Sequence, residues 1–161
     1  MARIIKFRGK LSLTHTDEWV YGSLIQDNGL NMFIQQGCWQ SPVENDTVGQ
    51  FTGLYDKNGK EVYEGDILRV VEYKNDFVGS GIDFEDREKF TVEECKGEKT
   101  DEYITAVEFE EGTFLVSSGK GEDKHNDTYI SHLFGDMRVS IPICEFEVIG
   151  NIYENPDLLK D

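Results

Sequence analysis

Basic residues are scarce in this chain of 161 residues. Sixteen Lys and Arg face 32 Asp and Glu, a formal net charge of -16. A binder of bare nucleic acid needs a basic surface to displace counterions, so direct nucleic-acid binding is not expected. Anionic membrane surfaces are disfavoured for the same reason. Long apolar runs are missing too, and none approaches the roughly 20 residues of a membrane span. The opening Met1-Ala2-Arg3-Ile4-Ile5-Lys6-Phe7-Arg8 carries charges but no apolar stretch of signal-peptide length, so a cytoplasmic protein is expected. In that setting the sequons Asn45-Asp46-Thr47 and Asn126-Asp127-Thr128 carry no sugar.

Cysteine and histidine are equally sparse. Cys38, Cys95 and Cys144 are widely separated and form no Cys-x-x-Cys pair, which excludes zinc-knuckle and thiol-redox motifs. His15, His125 and His132 sit in no recognisable nucleophile or ligand arrangement, and there is no Gly-x-Ser-x-Gly elbow. A phosphate-cradling loop needs Gly-Lys followed by Ser or Thr. Gly9-Lys10, Gly59-Lys60 and Gly119-Lys120 are followed instead by Leu11, Glu61 and Gly121. No cofactor and no catalytic residue is therefore assigned. Acid pairs such as Glu85-Asp86, Glu93-Glu94 and Glu110-Glu111 are what so acidic a composition produces by chance, on solvated faces.

What is present points to strands. Hydrophobic residues make up 38 % of the chain, below the ~45–50 % of an ordinary domain, yet aromatics reach 12 %. A disordered acidic tail is poor in aromatics, so the chain reads as a folded, β-rich protein. Trp19–Ile25 is a β-rich run ended by the turn Gln26-Asp27-Asn28-Gly29, with Met32-Phe33-Ile34 returning antiparallel. Thr105-Val107-Phe109 alternates with acids, turns at Gly112 and returns as Phe114-Leu115-Val116. Cys144, Phe146 and Val148 alternate in the same way. Helices are few. Asn155-Pro156-Asp157-Leu158-Leu159 has a capping residue, a proline and an acid in its first turn. Asn126–Phe134 offers a second helix through the i,i+4 pairs Tyr129-Leu133 and Ile130-Phe134, and 83–95 a third, of ambiguous period.

Charge divides the chain. Residues 1–71 hold 9 acids and 7 bases, whereas 72–161 hold 23 acids and 9 bases. The most hydrophilic stretch, about 72–102, reads as a variable excursion within a single domain spanning 1–161, because its apolar residues are too sparse to bury much surface.

The densest signal lies between Thr47 and Leu68. Thr47–Tyr55 is a strand, Asp56-Lys57-Asn58-Gly59 a tight turn and Glu61-Val62-Tyr63 the return. Asn58-Gly59 supplies the positive φ that a tight hairpin wants, and Asp56 can bond its own backbone two residues on. Tyr63-Glu64-Gly65-Asp66 makes a second turn into Ile67–Val71. These blocks resemble the signature of the YopX family of phage and prophage proteins. Ile5–Lys10 and Trp19-Val20-Tyr21-Gly22 resemble the family's opening, and Val148–Leu159 its closing segment. The resemblance implies a bacteriophage-derived protein with an SH3-like small β-barrel core and no established activity. It supplies no catalytic residue. The fold expected is thus mainly β, an SH3-like small barrel with an acidic insertion and one or two short helices.

Four residues are singled out as a candidate interaction surface: Trp39, Glu61, Glu64 and Asp66. Trp39, in the loop-like Gln36-Gly37-Cys38-Trp39-Gln40-Ser41-Pro42, is the best exposed candidate among Trp19, Tyr21, Phe33, Trp39 and Phe51, the others being expected in the core. The three carboxylates cluster near turns, where a divalent cation or side-chain-to-backbone bonds use them; the latter is favoured. An EF-hand fails, since with Gly59 sixth, Leu54 and Gly65 fall at positions one and twelve. The reading that follows is a non-enzymatic protein-binding module with a host or phage protein as partner, self-association remaining open. An acidic DNA mimic is the alternative, and a carboxylate-based metal-dependent hydrolase the least supported.

Overall fold

A computed structural model describes residues 4–12, 17–75, 96–110, 112–117, 127–129 and 143–160. Alternating apolar and polar residues, rich in β-branched and aromatic side chains, pair here as two antiparallel sheets. The first contains β1 (Phe7–Lys10), β2 (Trp19–Gln26), β3 (Met32–Gln36), β4 (Trp39–Val43), β5 (Gly49–Tyr55) and β6 (Glu61–Tyr63), in the order β4-β3-β2-β1-β5-β6. The second contains β7 (Asp66–Asn75), β8 (Lys96–Glu110), β9 (Thr113–Ser117), β10 (Asp127–Tyr129) and β11 (Ile143–Asn151), in the order β10-β9-β8-β7-β11.

The first sheet curls. Leu11 bridges Val43, and Ser12 N–H donates to Pro42 O at 3.1 Å while Glu44 N–H donates to Lys10 O at 2.8 Å. The end of β4 is thereby tied to the end of β1, around a core of Val20, Ile34 and Val43. The mainly β class stands. This closure is as far as the described pairs go toward an SH3-like barrel.

The larger core lies against the second sheet. Leu68, Val70, Val107, Phe114, Val116, Phe146 and Val148 are buried there together with Val62 from β6, so the two sheets share apolar surface. The turn at Asp56 fastens them by polar contacts. Asp56 Oδ1 accepts from Asn58 N–H at 2.8 Å and Lys60 N–H at 2.9 Å, and its Oδ2 accepts from Val148 N–H of β11 at 3.0 Å. Gly59 sits at φ +79°, as the turn requires.

One expected helix comes out differently. Residues 127–129 lie in a strand, β10, rather than in a helix over Asn126–Phe134. Asp127, Thr128 and Tyr129 pair with Ser117, Val116 and Leu115, and the backbone bonds of that ladder replace those of a helix. Within the stretch 72–102, β7 continues to Asn75 and β8 begins at Lys96. The helix considered at 83–95 lies outside the described residues. Near the C-terminus, Pro156–Leu159 is a short 3-10 helix, but Asn155 does not cap it with its side chain. Asn155 Oδ1 instead accepts from Asn151 N–H at 3.3 Å. No helix among the described residues is long and apolar enough to cross a membrane.

Candidate functional site

Antiparallel register places Arg8 of β1 opposite Tyr21 of β2, and Lys10 opposite Trp19. Cross-strand partners share a face, so Arg8, Trp19 and Tyr21 project to one side of the sheet. There the Arg8 guanidinium lies 4.8 Å from the Trp19 ring centre and 5.1 Å from that of Tyr63, a cation enclosed by two π faces.

Its charge is met by Asp66, the first residue of β7. Arg8 Nη1 donates to Asp66 Oδ1 at 2.5 Å and Nη2 to the Glu64 carbonyl at 3.1 Å. Asp66 Oδ2 accepts from Tyr63 N–H at 2.8 Å. Arg8 is 5 % exposed and Asp66 1 %. Burial pushes the Asp66 carboxyl above its ordinary range, and Arg8 and the Tyr63 N–H pull against that only in part. Desolvating two charges is costly unless every donor and acceptor is matched. One is not: Arg8 Nε is buried and has no acceptor among the described residues. An unmet buried donor costs about 1–3 kcal/mol.

The C-terminal end of β11 completes the site. The ladder with β7 pairs Val148 with Leu68 and Gly150 with Ile67, leaving Ile149 as the extra residue of a bulge. The chain then turns sharply. Asn151 Oδ1 accepts from the N–H groups of Tyr153 and Glu154, both at 3.0 Å, and Ile152 N–H donates to Gly65 O at 2.9 Å. Glu154 reaches back to β2, where its Oε1 accepts from Trp19 Nε1 at 2.8 Å, and its Oε2 accepts from Asn151 Nδ2, also at 2.8 Å. Gly65 holds φ +80°, and a Cβ there would lie 3.1 Å from the Tyr153 ring. Between these walls is a cleft of about 300 Å³, whose lining includes Arg8, Trp19, Tyr21, Lys60, Ile149 and Asn155. The stretches Ile5–Lys10, Trp19–Gly22, Tyr63–Ile67 and Val148–Leu159, which carry the resemblance, each supply lining residues of this one cleft.

The four residues singled out from sequence have separate fates. Asp66 is the buried partner of Arg8, and Glu64 contributes its carbonyl to the same guanidinium while its Oε2 accepts from Gln50 N–H at 3.4 Å. Glu61 Oε2 accepts from Lys6 Nζ and from Tyr63 OH, both at 2.6 Å. Burial alone would raise its pKa, but these two donors outweigh it and hold the carboxyl below its ordinary range. Trp39 stands apart from the cleft, at the start of β4, and is 76 % exposed. Among the described residues no three His, Cys, Asp or Glu side chains come together in a group fit for a metal ion. Arg8 and Lys60 are the residues that sequence reasoning passes over. Arg8 belongs to the opening block, and Lys60 to an excluded Gly-Lys pair. Turn chemistry draws attention to the acids, while their cation lies 58 residues away from Asp66.

The chain matches the YopX protein family model over residues 14–160. Among solved structures it is similar to the protein yopX from Bacillus subtilis, with 18 % identity and a TM-score of 0.51, covering 98 % of this chain and 99 % of that one. A second, the protein EF1440 from Enterococcus faecalis, has 20 % identity and a TM-score of 0.47, with the same coverage. No curated protein matches.

Proposed function

The chain belongs to the YopX family, and on that premise we propose that it is a phage- or prophage-derived cytoplasmic accessory protein that acts by binding another protein rather than by catalysis. The observation that carries this reading is Trp39. A tryptophan 76 % exposed is an anchor seeking a pocket, since buried Trp is over-represented among residues that dominate binding energy. It begins an outer strand of its sheet, as β4 pairs with β3 on one side and is tied to the end of β1 only around Val43. The partner is expected to be basic. A net charge of -16 attracts a positive surface over a distance and speeds encounter.

The test is capture of partners from bacterial host lysate on the tagged protein, eluted by rising salt and repeated with Trp39→Ala. One basic protein is expected, released at moderate salt and lost with Trp39→Ala, whose own stability should change by no more than about 0.5 kcal/mol. Capture unaffected by the substitution overturns the role of Trp39. Displacement of the captured partner by duplex DNA moves the reading to mimicry of a phosphate backbone. Light scattering on the purified chain reports whether the partner at this surface is a second copy.

A further inference from the structure

The cleft beside Arg8 has a one-sided inventory of hydrogen-bonding groups. Its acceptors are engaged: Asp66 holds Arg8 and the Tyr63 N–H, and Glu154 holds Trp19 and Asn151. Its donors are not. Lys60 Nζ makes neither ion pair nor hydrogen bond with a described residue, whereas Lys6, Lys10, Lys57, Lys96, Lys99 and Lys160 are all paired. Arg8 Nε lacks an acceptor as well, inside a side chain that is 5 % exposed. The walls around these donors are apolar in part: Trp19, Tyr21 and Ile149.

We propose that this cleft binds a small carboxylate carrying an aromatic or apolar body. Free donors facing occupied acceptors select a ligand that accepts. Lys60 draws an anion, and its charge-assisted bond fixes the head of the ligand beside the Arg8 side chain. The neighbouring Asp66 and Glu154 select a monoanion over a phosphate dianion, because a second negative charge meets two fixed ones across a partly desolvated gap. The body lies against Trp19, Tyr21 and Ile149, and about 300 Å³ accommodates a single ring. The proposal is independent of the Trp39 surface, which lines a different part of the molecule.

The probe is phenylacetate, titrated into the 15N-labelled full chain by NMR. The Trp19 indole N–H and the Arg8 Nε–H signals are expected to shift and saturate. Benzyl alcohol, with a similar body but no charge, is expected to bind about tenfold more weakly, and Lys60→Gln to weaken phenylacetate about fivefold with the rest of the spectrum unchanged. Equal binding of benzyl alcohol overturns the carboxylate assignment, and so does inorganic phosphate binding as well as phenylacetate. Absence of saturation, or indifference to Lys60→Gln, overturns the site. A dipeptide ending in phenylalanine, as acid and as amide, separates a chain terminus from a free metabolite. Preference for the dipeptide acid over phenylacetate supports the terminus, and the reverse supports the metabolite. Trp39→Ala should leave every one of these signals in place, so this test fails or succeeds apart from the protein-binding one.

Discussion

At the scale of single residues, Arg8 and Asp66 form the most consequential pair. Removing one partner leaves the other charged and buried, so Arg8→Leu should cost about 3–5 kcal/mol in urea unfolding. Joining it with Asp66→Leu should cost less than the two single changes added together, because the doubly substituted site holds no stranded charge. Additive costs would mean that the two charges are not coupled. Glu147 offers a contrasting, exposed case. Lys57 and Arg69 donate to its carboxylate and pull it from the ordinary 4.5 down to about 2. A depressed carboxyl stabilises above the pKa of the unfolded chain and loses that contribution as pH falls through the folded value. Between pH 4.5 and 2 the thermal midpoint of the wild type should therefore fall further than that of Glu147→Gln, and added salt should narrow the gap. A pair of equal slopes would dismiss the linkage. Sequence alone makes Asp56 legible, because its partners Asn58 and Lys60 are two and four residues on. It cannot make Arg8–Asp66 legible, because nothing local in either residue encodes a partner across a sheet.

At the scale of elements, the turn Tyr63–Asp66 links the sheets. Gly65 carries two demands at once: a positive φ and the close approach of Tyr153. Gly59 carries only the first, because a Cβ placed there would meet nothing within 4 Å. Gly59→Ala should thus cost about 1–2 kcal/mol, the backbone strain alone. Gly65→Ala should cost more, about 2–3 kcal/mol, since the Tyr153 ring must also yield. Chemical denaturation of both variants checks the order, and equal costs would show that Tyr153 moves freely. Strands announced by alternation, such as β2, β9 and β11, are readable because period two survives wherever one face is buried. β10 is not. Its i,i+4 apolar pairs are compatible with a helix, and only a neighbouring strand with free backbone groups decides against it. That neighbour, β9, ends ten residues before β10 begins, so no local pattern announces the pairing.

At the scale of the whole molecule, asymmetry of charge does not follow the division into sheets alone. The acidic half of the chain builds most of the second sheet, while the Arg8 cleft draws on both halves: β1, β2 and the Asp56 turn from one, the end of β11 from the other. Composition shows that a broadly basic surface is unavailable, and the mainly β class follows from the aromatics and the alternation. Neither hints that cations are gathered at one place, since a count over 161 residues averages over position.

The bonds from Val148 N–H to Asp56 Oδ2 and from Lys57 N–H to Phe146 O span about ninety residues. They carry a consequence for synthesis. A chain leaving the ribosome presents the Asp56 hairpin about ninety residues before the strand that secures it. Until then the hairpin has an unanswered carboxylate oxygen, and Val62 on its return strand lacks Phe146 and Val148 as neighbours. Such long-range closure slows folding relative to a chain of local contacts. The nascent chain is therefore most exposed to proteases and to wrong pairing until β11 arrives, and amide protection at Val148 would appear late, together with that of the turn it locks.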